Sequence, residues 1–126
     1  TDMHWGVEPV GLTWMLNRVR EWAPDLPLYI TENGAAYPDT VGDDGSVHDP
    51  MRIRYIQQHI EAIHAAMAEG TDIRGYFVWS LLDNFEWSRG YAMRFGIVRV
   101  DYDTLERTIK DSGHWYRGFI QGTETT

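Results

Sequence analysis

Glu32 ends a short run of β-branched and aromatic residues, Leu28 to Thr31, that Pro27 opens and Asn33-Gly34 closes. Such a run predicts a buried strand that stops abruptly. A carboxylate at its last position is costly to desolvate unless it is partnered. Two explanations stand: a salt-bridged or hydrogen-bonded strand end, or catalysis, because enzymes built on parallel strands aim side chains from strand C-termini into a shared cleft. About fifty residues on, a second apolar run ends at Trp79 and is followed by Asp83, Glu86 and Trp87, with Phe95 further along. Carboxylates set among tryptophans are the ingredients of glycoside hydrolysis, where one carboxyl acts as acid and another as base or nucleophile on an oxocarbenium-like transition state. Apolar or like-charged surroundings would separate their pKa values and divide the roles. Aromatic faces also stack on the C–H faces of sugar rings without turnover, so a sugar-binding module is the alternative.

Other chemistries find less support. Cysteine is absent, which removes thiolate nucleophiles, disulfides and zinc ribbons, and Ser80 has no sequence cue for a histidine partner. Asp39, Asp43, Asp44 and Gly45 suggest a calcium loop, but Thr40 and Gly42 occupy places where such a loop needs oxygen ligands, so a solvated turn is expected. His59 and His64 lie five apart, off a common helical face, and with His4, His48 and His114 they read as surface or internally satisfied side chains. No cofactor and no metal is expected. A formal net charge of -8 with no basic cluster argues against a nucleic-acid partner. No apolar run approaches the roughly 20 residues that span a bilayer, so no membrane partner is expected. The start, TDMHWGVEP, lacks the parts of a signal peptide and also lacks an initiator Met; a cytoplasmic location is the favoured expectation.

The elements that must position these residues follow from spacing. The 126 residues, 43% hydrophobic, are of single-domain size. Pro9 followed by Leu12, Met15, Leu16, Val19 and Trp22 predicts an amphipathic helix that Pro24 stops. After the Leu28 strand a loop of about fifteen residues is long enough to be an active-site rim. Asp49-Pro50 opens a second helix with Ile53, Ile56, Ile60, Ile63 and Met67 on one face, ended by Gly70. Tyr76 to Trp79 then form a second strand without alternation, as expected when both faces are covered. Strand, helix, strand makes the two strands parallel neighbours whose C-terminal ends, at Glu32 and at Trp79-Ser80, open on the same side. Ile97 to Val100 and the stretch toward Lys110 predict a small hairpin. Ser112 is expected to cap a last helix with Trp115, Tyr116, Phe119 and Ile120 facing inward.

ITENG, with WSLLDNFEW about fifty residues on, resembles the C-terminal part of the family 1 glycoside hydrolases, the retaining β-glucosidases and their relatives. The likeness continues through GLTWMLNRVREWAPDLPLYITENGAAY and GYAMRFGIVRVDYDTLERTIKDSGHWY and covers nearly the whole chain. The resemblance implies an α/β fold, the C-terminal part of a (β/α)₈ barrel left incomplete here, with residues 1–126 as one segment of a single glycosidase domain. It implies Glu32 as the nucleophile of a covalent glycosyl-enzyme, Trp79 as the sugar platform, Glu86 as a hydrogen-bonding partner of the outer hydroxyls of the nonreducing sugar, Trp87 as completing that pocket, and Phe95 as a more distant wall. Glu86, a candidate acid on spacing alone, thereby becomes a specificity residue. The implied substrates are β-glucosides or short β-linked oligosaccharides.

The chain departs from the pattern at His4, Gly6 and Ile109, positions outside the site. It also lacks the Asn-Glu-Pro motif that carries the family's acid/base glutamate. The expectation is therefore a portion of a longer polypeptide, or a chain completed by a partner that closes the barrel, with little activity on its own. Losing a general acid costs on the order of 10²–10⁴ in rate. The alternative is a noncatalytic carbohydrate-binding fragment.

Overall fold

A computed structural model describes residues 1–126. Helix α1 (Pro9–Trp22) leads into strand β1 (Leu28–Asn33), a small hairpin of β2 (Thr40–Val41) and β3 (Val47–His48), helix α2 (Pro50–Ala68) and strand β4 (Ile73–Val78). A single 3₁₀ turn at Trp87–Arg89 precedes a second hairpin, β5 (Val98–Val100) and β6 (Arg107–Ile109), and helix α3 (Asp111–Ile120) closes the chain.

β1 and β4 pair in parallel, with Leu28 opposite Ile73, Ile30 opposite Tyr76 and Asn33 opposite Val78, so both strands end on the same side. The βα-β connection explains this: a helix between two strands returns the chain in the same direction. α2 packs its Ile56, Ile60 and Ile63 face toward the strand pair; Ile63 and Ala66 meet Leu16 of α1 and Ile73 of β4, while Ile56 and Ile60 meet Ile97, with Tyr116 and Phe119 of α3 against them.

Several expectations change. Neither strand is buried on both faces: the helices cover one face, and Tyr29 and Phe77 on the other are 55% and 58% exposed. Met15, Trp22, Met67 and Ile120, expected to face inward, are exposed for the same reason, since no element of this chain packs against them. The stretch after β1 is a hairpin rather than plain loop, with Thr40 opposite His48 and Val41 opposite Val47. Asp49 and Lys110 stand at the cap positions of α2 and α3, and neither side chain makes a capping hydrogen bond. Ser112 lies inside α3, where its N–H and hydroxyl both donate to the Asp49 carboxylate, at 2.9 and 2.5 Å. His59 is buried on α2, its Nδ1 donating to the Tyr55 carbonyl at 2.7 Å and its ring stacked on Tyr55. Burial holds its pKa below the usual imidazole value, so it is the satisfied, neutral histidine expected.

Candidate active site

Glu32 is the penultimate residue of β1, where a register irregularity between Ile30 and Asn33 breaks the strand's alternation and leaves Thr31 and Glu32 both exposed. The next residue, Asn33, is pinned on the helix side: its Oδ1 accepts from the Tyr76 hydroxyl at 2.9 Å and its Nδ2 donates to the Tyr55 hydroxyl at 3.4 Å. Burial drives the Tyr76 pKa up, keeping that phenol a donor at any ordinary pH. With Asn33 held beneath the strand, Glu32 turns to the opposite side and into a cleft of about 300 Å³. The Asn33 carbonyl accepts from the Trp79 N–H at 2.9 Å, so the two strand ends are joined at this level. Gly34 follows where the Trp79 carbonyl crosses the chain; a Cβ there would lie 1.6 Å from that oxygen, so the Gly of TENG is required by the closeness of the strand ends.

Trp79, Glu86, Trp87 and Phe95 line the same cleft as Glu32. Trp87 sits on the 3₁₀ turn and is 83% exposed, whereas Phe95 is buried. Glu86 is fixed through its backbone, its N–H donating to the Gly90 carbonyl at 2.7 Å and its carbonyl accepting from the Arg89 N–H at 2.7 Å. Neither Glu32 nor Glu86 takes part in any of the chain's ion pairs. Within this chain, then, no ion pair accounts for a glutamate at the strand end.

Asp83, grouped on spacing with these carboxylates, is not in the cleft. Its side chain is fully buried: Oδ1 accepts from Lys110 Nζ and the Gly96 N–H, both at 2.9 Å, and Oδ2 accepts from Arg94 at 2.6 Å. Asp39, expected in a solvated turn, is also fully buried at the side chain, between Lys110 Nζ at 2.9 Å, Arg52 at 3.3 Å and Arg99 at 3.4 Å. Only Asp43 and Asp44 lie in an exposed turn, where Asp44 accepts from the Ser46 N–H and hydroxyl. The physical reason is the same in both cases: a cation distant in sequence reaches each aspartate, which spacing along the chain does not reveal.

Two aromatic cleft residues escaped the sequence reading. Trp5 lines the cleft with its ring centroid 6.2 Å from that of Phe95, and Phe85 lines it as well. Trp5 is drawn there by the Asp2 N–H donating to the Ala36 carbonyl at 3.0 Å, a contact no local pattern announces. The high aromatic content was the only available signal.

A family model described as Glycosyl hydrolase family 1 matches residues 1–125. The chain is 52% identical over 126 residues to the 1,4-beta-D-glucan glucohydrolase of Thermotoga neapolitana, covering all of this chain and 28% of that protein. It superposes on the solved family 1 b-glucosidase from Thermotoga maritima with a TM-score of 0.95 at 50% identity, covering 100% of this chain and 28% of that one. For the psychrophilic beta-glucosidase from Micrococcus antarcticus the TM-score is 0.94 at 56% identity, covering 99% and 27%. The chain thus spans about 28% of the length of the relatives it matches. Its strand pair and helices correspond to part of a (β/α)₈ barrel that does not close within these residues. On both sequence and structure, the chain belongs to glycosyl hydrolase family 1.

Proposed function

We propose that this chain supplies the nucleophile and the nonreducing-sugar pocket of a retaining β-glucosidase, as the C-terminal segment of a single (β/α)₈ glycosidase domain. The observation that carries this is the cleft itself: Glu32, without an ionic partner, faces the same hollow as Trp79, Glu86 and Trp87. In the proposed reaction the Glu32 carboxylate attacks the anomeric carbon of a β-glucoside while the glycosidic oxygen leaves with a proton from an acid glutamate outside these residues. Water then hydrolyses the glycosyl-enzyme, assisted by the same acid acting as base. Trp79 offers its face to the sugar's C–H groups, and Glu86 with the Trp87 indole N–H receives its outer hydroxyls. Trp5 and Phe95 add a more distant aromatic wall to the cleft. Structures of the Thermotoga maritima relative include complexes with glucoimidazole and galacto-hydroximolactam, which supports gluco- and galacto-type rings as substrates here. The open edges of β1 and β4 would be completed by further strands, from the same polypeptide or a partner chain.

The test is mass-spectrometric. The full polypeptide that carries this chain is incubated with a 2-deoxy-2-fluoroglucosyl inhibitor, and the digest is expected to show the added sugar on the peptide containing Glu32. Glucose binding by calorimetry with no label on Glu32 would instead establish a noncatalytic carbohydrate-binding role.

A further inference from the structure

Both loops that shape the cleft run directly into a buried cluster of charge beneath it. The loop leaving β1 carries Asp39, and the loop leaving β4 carries Asp83. Neither side chain is exposed, and both meet one ammonium, that of Lys110, at 2.9 Å on each side. Lys110 is itself wholly buried and sits where β6 turns into α3, on the scaffold rather than on either loop. Around it, Arg52 at the start of α2 pairs with Asp39 and Asp49 and donates to the carbonyls of Tyr37 and Arg94, at 3.2 and 2.7 Å. Arg94 reaches Asp83.

A buried ammonium is costly unless its partners are well placed, and hydrophobic residues of similar size often stabilise such a site as well or better. Stability alone is thus a weak reason for a lysine here. Geometry supplies a better one. Asp83 lies three residues before Glu86, and its Oδ1 also receives the Gly96 N–H, next to Phe95. Asp39 lies on the loop that leaves Glu32 and Gly34. An ammonium offers three donors from one point, so it can hold two carboxylates a fixed distance apart in a way an apolar side chain cannot.

We infer that Lys110 is a positioning residue: by bridging Asp39 and Asp83 it fixes the arm carrying Glu86, Trp87 and Phe95 against the strand end carrying Glu32. The inference rests on the glucosidase function proposed for the cleft. Its consequence is that breaking the bridge loosens recognition of the sugar's outer hydroxyls before it removes the nucleophile.

The experiment compares kcat/KM for an aryl β-glucoside and for its 6-deoxy analogue, in the full polypeptide carrying this chain. Both substrates sample the same folded molecules, so their ratio is unaffected by how much protein is folded. Lys110→Met is expected to lower the preference for the 6-hydroxyl about tenfold, the size of one lost hydrogen bond to a charged group. Asp39→Asn opens the bridge at one end and leaves Lys110 its Asp83 partner; it serves where Lys110→Met does not fold, and is expected to shift the ratio in the same direction. Glu86→Gln is the reference. If Glu86→Gln narrows the preference and neither bridge variant does, the bridge is refuted and the glucosidase function stands. If none of the three changes it, the bridge and the role of Glu86 fall together. Narrowing by the bridge variants alone keeps the bridge and retires Glu86 as the hydroxyl partner.

Discussion

Glu86 and Asp83 lie three residues apart in one segment, yet they belong to two regions with opposite physics. Above, around Glu86 and Glu32, the carboxylates have no ionic partner within this chain, Trp5, Phe85 and Trp87 are exposed, and the residues surround a hollow of about 300 Å³. Below, around Asp83, Asp39 and Asp49, every carboxylate is enclosed and each is shared among two or more donors. Four cations, Arg52, Arg94, Arg99 and Lys110, face these three carboxylates. The difference teaches where the chain places its unspent interactions. Charge in the lower region is consumed by the fold, which leaves the upper carboxylates available for a ligand at the mouth of the strands.

The strongest way to break this contrast is to show that the upper region matters for folding, or that the lower supplies reacting groups instead of holding the arm that carries Glu86. Glu32→Ala in the full polypeptide is expected to lower β-glucoside hydrolysis by about 10⁴-fold or more, as for other lost nucleophiles. Its urea midpoint should move little, because none of this chain's ion pairs is lost. Azide should restore glycosyl transfer, giving the product of inverted configuration, since it enters from the face Glu32 has vacated. A variant that unfolds, or one that azide does not rescue, would assign Glu32 to the scaffold.

Asp83→Asn is the mirror image. It leaves Arg94 without its carboxylate and Lys110 with Asp39 alone, and breaking a buried pair from one side costs about 3–5 kcal/mol. Equilibrium unfolding in urea should show the loss directly. Active sites counted by fluoroglucosyl burst should retain turnover within about tenfold of the parent. A normal midpoint with abolished turnover would move Asp83 into the cleft's chemistry.

Glu86→Gln has a smaller effect and sharpens the contrast within the upper region. Replacing a charged acceptor by an amide costs on the order of 1.5–3 kcal/mol in one hydrogen bond. Hydrolysis of glucosides should fall about ten- to hundredfold, with a lesser loss for rings lacking the outer hydroxyls. Equal losses for all sugars would place Glu86 outside hydroxyl recognition.

How much of this was legible beforehand divides along the same line. Helical spacing in α2, the Pro-opened α1 and the parallel pair β1 and β4 follow from local periodicity, and the structure has them at those places. The meeting of Glu32 with Trp79, Glu86, Trp87 and Phe95 in one cleft follows from strands that end on the same side. The buried cluster was not legible. Asp39 was placed in a turn and Asp83 among the candidate acids, because the cations that reach them are distant: Arg52 and Lys110 are 13 and 71 residues away from Asp39, and Lys110 is 27 away from Asp83. Burial of the strands was overstated because an unbroken apolar run records that a face is to be covered, and not which element covers it. Ser112 was misplaced as a cap since a serine near a helix start signals the side chain's preference for a nearby acceptor, and Asp49 proved a better one than the helix's own first turn.

The smallest effect lies at the edge of the lower region, where a single pair is open to water. His48 Nδ1 meets Asp111 Oδ2 at 2.7 Å, and its Nε2 lies 3.0 Å from the Ser46 hydroxyl, which Asp44 also engages. The hydrogen bond to Asp111 raises the His48 pKa above its usual value, its charge and those of Asp44 and Asp49 add to the rise, and partial desolvation opposes it. A raised folded-state pKa means that the imidazolium's contribution is fully present below about pH 6.5, the unfolded value, and is lost as pH increases through the higher folded value. His48→Gln should therefore flatten the pH dependence of the melting temperature above about pH 6.5 while leaving the acid limb unchanged. Asp111→Asn should return the His48 titration, followed by NMR, toward the ordinary imidazole value. Because the two side chains are 51% and 43% exposed, about 1 M salt should remove most of the shift, whereas the enclosed Asp83 pairs should keep their contribution under the same conditions. A His48 shift that survives high salt would mean that this corner is as enclosed as the cluster beside it, and the boundary between the two regions would have to be redrawn around α3.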